Sequence, residues 1–187
     1  MPYPALRGEY QLDNAAGALT ALETLRDRFP VSQGDIRQGL LQATIPGRFQ
    51  VLPGSPVRVL DVAHNADAAR ALAATLARQR VAGETFAVFG ILKDKDIVAV
   101  AQALRPLVDR WYVATLHTAR GASVEEIRAA LAAAGVGAPV AAFDEMRVAY
   151  AAACRDAGAA DRVVVFGSFY TVGDILAALP EGAGDGR

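Results

Sequence analysis

The chain is poor in the residues that most often announce a chemistry: one cysteine, two histidines, two methionines and one tryptophan among 187 residues. A single cysteine, Cys154, excludes an internal disulfide, and in its Ala-rich helical stretch it reads as a small buried residue. No Cys/His cluster has zinc spacing. No apolar run approaches ~18 residues, so no membrane span is expected. The start, Met1-Pro2-Tyr3-Pro4, has neither a charged n-region nor an apolar h-region, so no secretory signal is read and the cytoplasm is the expected compartment. Charge of one sign is also missing: 19 Lys+Arg against 20 Asp+Glu leave a net charge of −1. That balance makes no electrostatic case for nucleic acid or for an anionic membrane. There is no Gly-x-x-x-x-Gly-Lys-[Ser/Thr] and no Gly-x-Gly-x-x-Gly after a strand. If ATP is handled, its phosphate loop lies elsewhere. The Gly-x-Ser-x-Gly nucleophile elbow is absent at Gly167-Ser168-Phe169. A receiver domain would need a lysine after the last strand, which Gly167-Ser168 does not supply. No internal repeat is visible.

What is present is ordinary for a soluble globular chain, 53% hydrophobic and 21% charged. Its length suits one good core, or one domain with an appendage. Leu12, Ala15, Ala16, Leu19, Leu22 and Leu25 fall at helical spacing and predict an amphipathic helix over 12–29. A second helix is expected over Ser32–Gln42, with Ser32 as N-cap and Asp35 in its first turn. Pro46-Gly47 breaks the pattern. From there apolar strands alternate with helices. Strands are expected at Val57–Val62, Thr85–Ile91, Arg110–Leu116, Val140–Phe143 and Arg162–Gly167. Helices are expected at Asp67–Arg80, Ile97–Leu107, Val124–Ala134, Glu145–Asp156 and Val172–Leu179. Ser123 is a candidate N-cap, Gly135 and Gly158 sit where helix C-caps belong, and Phe49–Leu52 is a candidate edge strand. Five βα units in series predict an α/β fold, a Rossmann-like doubly wound and mostly parallel sheet flanked by helices. A boundary is placed near Pro46. Residues 1–45 read as a helical remnant of another body, because two helices cannot bury their apolar faces alone. Glu181–Arg187 is expected to fray.

In such sheets ligands bind beyond the carboxyl ends of the strands. The residues there are Asp61, His64 and Asn65; then Gly90, Lys93, Asp94, Lys95 and Asp96; then His117, Thr118 and Arg120; then Asp144; then Gly167, Ser168 and Tyr170. Each has a bland reading beside the functional one. His64 could cap the helix that follows. Asp61, ending an apolar strand, must find partners or stay wet: it is either an acceptor for nearby backbone N–H groups or one for ribose hydroxyls or a ligand amine. Lys93 to Asp96 is a solvated helix entry or a set of point charges beside an anionic ligand. Ser168 is an N-cap or a carboxylate-binding hydroxyl. Arg48, at a turn before the sheet, is a surface arginine or a functional one.

Five short motifs occur in order: Gln11-Leu12-Asp13-Asn14-Ala15-Ala16, Pro46-Gly47-Arg48-Phe49-Gln50, Leu60-Asp61-Val62-Ala63-His64-Asn65, Phe89-Gly90 with Asp94-Lys95-Asp96, and Gly167-Ser168-Phe169-Tyr170-Thr171-Val172. In this the chain resembles, over residues 5–179, the carboxyl-terminal part of the bacterial folylpolyglutamate synthase/dihydrofolate synthases of the Mur ligase family. One departure is Ala66, where the family pattern reads His-Asn-Pro; proline suits a first helical turn, so alanine only loosens it. The resemblance implies a central ATPase domain carrying the phosphate loop and a smaller Rossmann-like carboxyl-terminal domain, here residues 46–187. It implies an ATP-dependent ligase that uses ATP and Mg²⁺ to phosphorylate a dihydropteroate or folate carboxylate, after which the L-glutamate amine attacks the acyl phosphate. Carried over by motif, Asn14 would contact the adenine side of ATP and Arg48 its phosphates. Asp61 would accept from the ribose or orient the closing domain. His64 would lie near the acyl phosphate, and Lys95 and Ser168 would meet the glutamate carboxylates. No Mg²⁺ ligand is assigned within this chain. The expected partners are these small molecules and the missing N-terminal ATPase domain, with no nucleic acid and no membrane. The expected state is a monomer, inactive as a fragment. Two alternatives stand beside this: a free-standing flavodoxin-like ligand-binding module, and the carboxyl-terminal domain of a peptidoglycan Mur ligase.

Overall fold

A computed structural model describes residues 2–180; the fraying expected of Glu181–Arg187 lies outside the described residues. The chain divides into two compact units, Met1–Ile45 and Pro46–Arg187.

The first unit holds α1 (Tyr10–Thr24) and α2 (Gln33–Gln42). Helix α1 stops short of the expected Phe29. Residues 25–28 are turns, and Phe29 itself precedes Pro30, whose ring disfavours helical backbone at that position. Its inward face also differs from the expectation: Gln11 is buried while Leu12 is exposed, and of the expected stripe Ala15, Leu19 and Leu22 are half-buried. Helix α2 starts on a complete capping box, Ser32 and Asp35 each accepting the other's backbone N–H.

The second unit is a six-stranded sheet built from β1 (Gln50–Leu52), β2 (Val57–Leu60), β3 (Thr85–Phe89), β4 (Arg110–Ala114), β5 (Val140–Phe143) and β6 (Arg162–Phe166). Their order is β1-β2-β6-β3-β4-β5. Strand β1 is antiparallel at the edge and the others are parallel. The expected α/β, mostly parallel fold is the one observed. Strands β3 and β6, Thr-Phe-Ala-Val-Phe and Arg-Val-Val-Val-Phe, are buried throughout; past their first residues they are continuous apolar runs, as strands covered on both faces are.

One face is covered by α3 (Ala66–Arg78), α4 (Ile97–Leu104) and α5 (Val124–Ala133), through Leu72, Leu76, Val100, Leu104, Ile127 and Leu131. The other is covered by α6 (Met146–Asp156) and α7 (Phe169–Ala178), through Met146, Ala149, Val172 and Ile175. Cys154 packs, partly buried, on this second face. No helix among the described residues is long and apolar enough to cross a membrane.

Several boundaries differ from the sequence reading for physical reasons. The expected helix over Ile97–Leu107 becomes α4 followed by a 3₁₀ turn, Arg105–Leu107, where Pro106 cannot continue the helical ladder. Gly135 follows α5 with φ +72 and ends it as expected. Gly158 does not end α6 in this way: α6 stops in extended backbone at Ala157, and the Gly158 N–H donates to Asp161 instead. Helix α7 begins at Phe169, three residues before the expected Val172, because the Ser168 side chain accepts the Thr171 N–H and starts the helix there.

The connections place the site. Strand β6 leads to α7 on one face, while its neighbours β2 and β3 lead to α3 and α4 on the other. The loops leaving the carboxyl ends of β2, β6 and β3 therefore part in opposite directions around β6, the switch point at which open α/β sheets form their ligand crevice.

Candidate functional site

The loop after β2 is built on Asp61. This side chain is 5% exposed. Its Oδ2 accepts the Phe49 N–H and its Oδ1 accepts the Ala63 N–H, both at 2.8 Å. Burial pushes its carboxyl above the ordinary range, against the pull of those two donors and of the Arg48 charge. Asp61 thus accepts from neighbouring backbone N–H groups, one on each oxygen.

That carboxylate fastens the turn before β1 to the end of β2. Gly47 has φ +70 and Phe49 φ 42, so two residues of this three-residue turn are left-handed. Phe49 has a side chain and is held there at a cost; its N–H bond to Asp61 and its burial in the core do the holding. A Cβ on Gly47 would sit 2.8 Å from Val62 and 3.2 Å from Val172, so glycine is required by space as well as by φ. The Gly47 carbonyl accepts the Val62 N–H and its own N–H donates to Gln50 Oε1. Arg48 is thus the middle residue of a fixed turn on the carboxyl edge of the sheet.

Arg48 lies half-buried with its guanidinium carbon 5.9 Å from the centre of the Phe169 ring. His64 approaches the same ring, centroid to centroid 6.4 Å at 48°. The His64 Nδ1 is 2.8 Å from the Val62 carbonyl. A carbonyl only accepts, so Nδ1 carries the proton and a neutral His64 presents Nε2 as its acceptor. Asn65, not His64, caps α3, its side chain accepting the Ala68 N–H.

Beneath Phe169 runs a buried hydroxyl chain. Ser168 Oγ lies 2.7 Å from Thr171 Oγ1, and Thr171 Oγ1 donates to the Gly90 carbonyl at 2.6 Å. With the Thr171 proton so committed, Ser168 is the donor of the first bond. Ser168 is 3% exposed and works as the N-cap of α7. Gly167, at φ +118, lets the exits of β6 and β3 touch: a Cβ there would lie 2.3 Å from the Gly90 oxygen.

The remaining edge residues fall into separate groups. Lys95 Nζ is 3.3 Å from Asp94, whose same oxygen lies 3.8 Å from Arg120. Asp96 caps α4 through the Ala99 N–H. Lys93 and Arg120 are joined through their backbones. His117, exposed, donates from Nε2 to the Asp144 carbonyl at 2.9 Å. Asn14 lies in the first unit, on α1, donating to Gln11. Among the described residues no group of three or more His, Cys, Asp or Glu side chains is gathered for a metal ion.

Arg48, His64 and Lys95 all lie on the carboxyl edge of the sheet, and the comparison with known proteins decides the family. The pattern described as "Mur ligase, glutamate ligase domain" matches residues 47–169. The chain belongs to the Mur ligase family. It is 40% identical over 166 residues to the Escherichia coli dihydrofolate synthase/folylpolyglutamate synthase, a span of 89% of this chain and 37% of that protein. The solved structure of Escherichia coli FolC in complex with DHPP and ADP superposes with a TM-score of 0.84 at 38% identity, over 95% of this chain and 40% of the other. A bifunctional folylpolyglutamate synthase/dihydrofolate synthase with Mn, AMPPNP and L-glutamate bound gives a TM-score of 0.83 at 42% identity, over 95% of this chain and 41% of that one. The chain therefore spans about two fifths of the length of these relatives.

Two residues of this Mur ligase edge were not legible as site residues. Phe169 is 61% exposed and is the shared neighbour of Arg48 and His64. Thr171 links Ser168 to Gly90. The signal for both was the Ser168 cap, which sets Phe169 at the first helical position and Thr171 at the third.

Proposed function

We propose that this chain is the carboxyl-terminal part of an ATP-dependent ligase that joins L-glutamate to dihydropteroate or folate through an acyl phosphate. Residues 1–45 would belong to the central ATPase domain and residues 46–187 to the glutamate ligase domain. The observation that carries this reading is Arg48: a guanidinium aimed from a pinned turn at the switch point of the sheet, on a chain whose relatives are solved with ADP, AMPPNP and L-glutamate.

In this reading Arg48 neutralises charge on the transferring phosphoryl group, as a preorganised donor fork does. His64 offers Nε2 near the acyl phosphate. Asn14 would contact the adenine side of ATP. Lys95 would meet a glutamate carboxylate as a point charge. The Ser168 hydroxyl is committed to Thr171, so its part in glutamate binding would run through the helix start that it fixes. Asp61 would serve ATP indirectly, by holding the Arg48 turn. The Mg²⁺ that accompanies ATP would be held by the rest of the polypeptide.

The test is to incubate the complete polypeptide, and separately this chain alone, with ATP, Mg²⁺, L-glutamate and dihydropteroate. The complete protein should release ADP and phosphate with formation of the amide, and the isolated chain should do neither. Turnover by the isolated chain, or none by the complete protein, contradicts the reading. A free-standing binding module would show the second of these outcomes.

A further inference from the structure

We propose that Phe169 is a positioning residue for the phosphoryl-transfer step: its ring holds the Arg48 guanidinium in place without using any of its hydrogen-bond donors. This rests on the role given to Arg48 above and deepens it.

The backbone of Arg48 is fixed by Asp61, Gly47 and Gln50, but the side chain beyond Cβ needs its own restraint. The Asp61 carboxylate attracts the Arg48 charge. Its two oxygens are already occupied by the N–H groups of Phe49 and Ala63. Among the described residues Arg48 makes no ion pair or hydrogen bond; besides its longer-range attraction to Asp61 it has the face of Phe169 at 5.9 Å. The difference matters chemically. A carboxylate partner would cancel the charge of the guanidinium and occupy part of its fork. An aromatic face attracts the cation through its quadrupole and leaves every N–H pointing outward for phosphate oxygens.

Phe169 is placed for that purpose and for no evident structural one. It sits at the first position of α7, 61% exposed, and belongs to neither face of the sheet core. An exposed ring at a helix start stabilises the fold little. Its backbone, by contrast, is set firmly by the buried chain from Ser168 through Thr171 to Gly90. The same ring lies against His64, whose Nδ1 is tied to Val62. One aromatic side chain thus neighbours both groups assigned to the reacting phosphate.

The experiment is a double-mutant cycle in the complete ligase, with kcat and KM for ATP measured for Phe169→Ala, Phe169→Leu, Phe169→Trp, Arg48→Ala and the Arg48→Ala/Phe169→Ala pair. Phe169→Ala should lower kcat/KM by about tenfold, within the range of a partly desolvated cation–π contact. Phe169→Leu should do no better and Phe169→Trp should recover the wild-type value within about twofold, since tryptophan is the best cation–π face. Phe169→Ala should add nothing once Arg48 is alanine, because the two act as a unit. The urea midpoint of all the Phe169 variants should match wild type, which separates positioning from folding. Full activity of Phe169→Leu, or losses that multiply in the double variant, overturns the proposal. If Arg48→Ala is impaired and Phe169→Ala is not, the role of Phe169 falls and that of Arg48 stands. If Arg48→Ala is as active as wild type, the assignment of Arg48 fails and the proposal with it.

Discussion

Replacing Asp61 with alanine removes the acceptor of two backbone donors at once. The Phe49 and Ala63 nitrogens each lie 2.8 Å from one carboxylate oxygen. A buried donor left unpaired costs ~1–3 kcal/mol, so the pair would cost ~2–6 kcal/mol if nothing relaxed. Two effects oppose this. Deleting the carboxylate ends its own desolvation, which is the largest influence on its ionisation, and water can enter the vacated space. Phe49, no longer held at φ 42, can also leave its left-handed conformation, releasing of order 1 kcal/mol of strain. A net loss of about 2–3 kcal/mol is therefore expected. The chain carries its own probe: Trp111 is its one tryptophan and is fully buried in the sheet core beside Phe89 and Phe166. Urea unfolding of the sheet unit followed by Trp111 fluorescence measures the loss directly. In the complete ligase the same variant should reproduce most of the defect of Arg48→Ala, because the turn that aims Arg48 has come loose. A stability change below ~0.5 kcal/mol, the size of an ordinary surface substitution, refutes the view that this carboxylate fastens the turn.

Gly47→Ala should destabilise the sheet unit by about 1–3 kcal/mol, since it demands φ +70 of alanine and drives a methyl to 2.8 Å from Val62; the same urea titration reports it. Asp61 also predicts a pH dependence. Burial raises its carboxyl above the ordinary 3.8, so between 3.8 and the raised value the folded chain binds the proton more than the unfolded chain does. The stability owed to that proton is complete below 3.8 and is lost as pH rises through the raised value. Measured against Asp61→Asn, which cannot titrate, wild type should lose ground over that window and hold steady above it. Lys95→Met in the complete ligase should raise KM for L-glutamate by about tenfold or more with KM for ATP little changed, as loss of one charge-assisted contact would; the reverse pattern would assign Lys95 to the nucleotide.

The fold was legible because its elements obey local rules that leave marks on the sequence. Strands buried on both faces, such as Phe86–Phe89 and Val163–Phe166, are uninterrupted apolar runs, and capping residues such as Ser32, Ser123 and Ser168 stand where helices begin. The residues just past each strand were legible too, since the parallel order sends those loops to one edge. Geometry across the sheet was not. Nothing local says that β6 inserts between β2 and β3, and it is that insertion which brings the Ser168–Phe169 corner to Arg48 and His64. Asp61 shows the same limit. Its residue type and place at the end of a strand announced a polar site, but only the fold shows that both oxygens turn inward to backbone N–H groups, one of them in a turn 12 residues earlier. In α1 the periodicity was right, and the direction of its face was off by about one residue, because buried Gln11 and exposed Leu12 reverse the order that hydrophobicity alone suggests.

The roles proposed for this edge of the sheet stand most directly on Arg48 acting at the phosphates. Rapid-mixing measurement of the first turnover of ADP formation, in the complete ligase with ATP and the pteroate or folate acceptor, isolates that step from glutamate attack. Arg48→Ala should slow it by roughly 10²–10³-fold, the usual consequence of removing one preorganised donor to developing charge, with the Trp111 urea midpoint unchanged. A first turnover at the wild-type rate in Arg48→Ala would contradict the assignment.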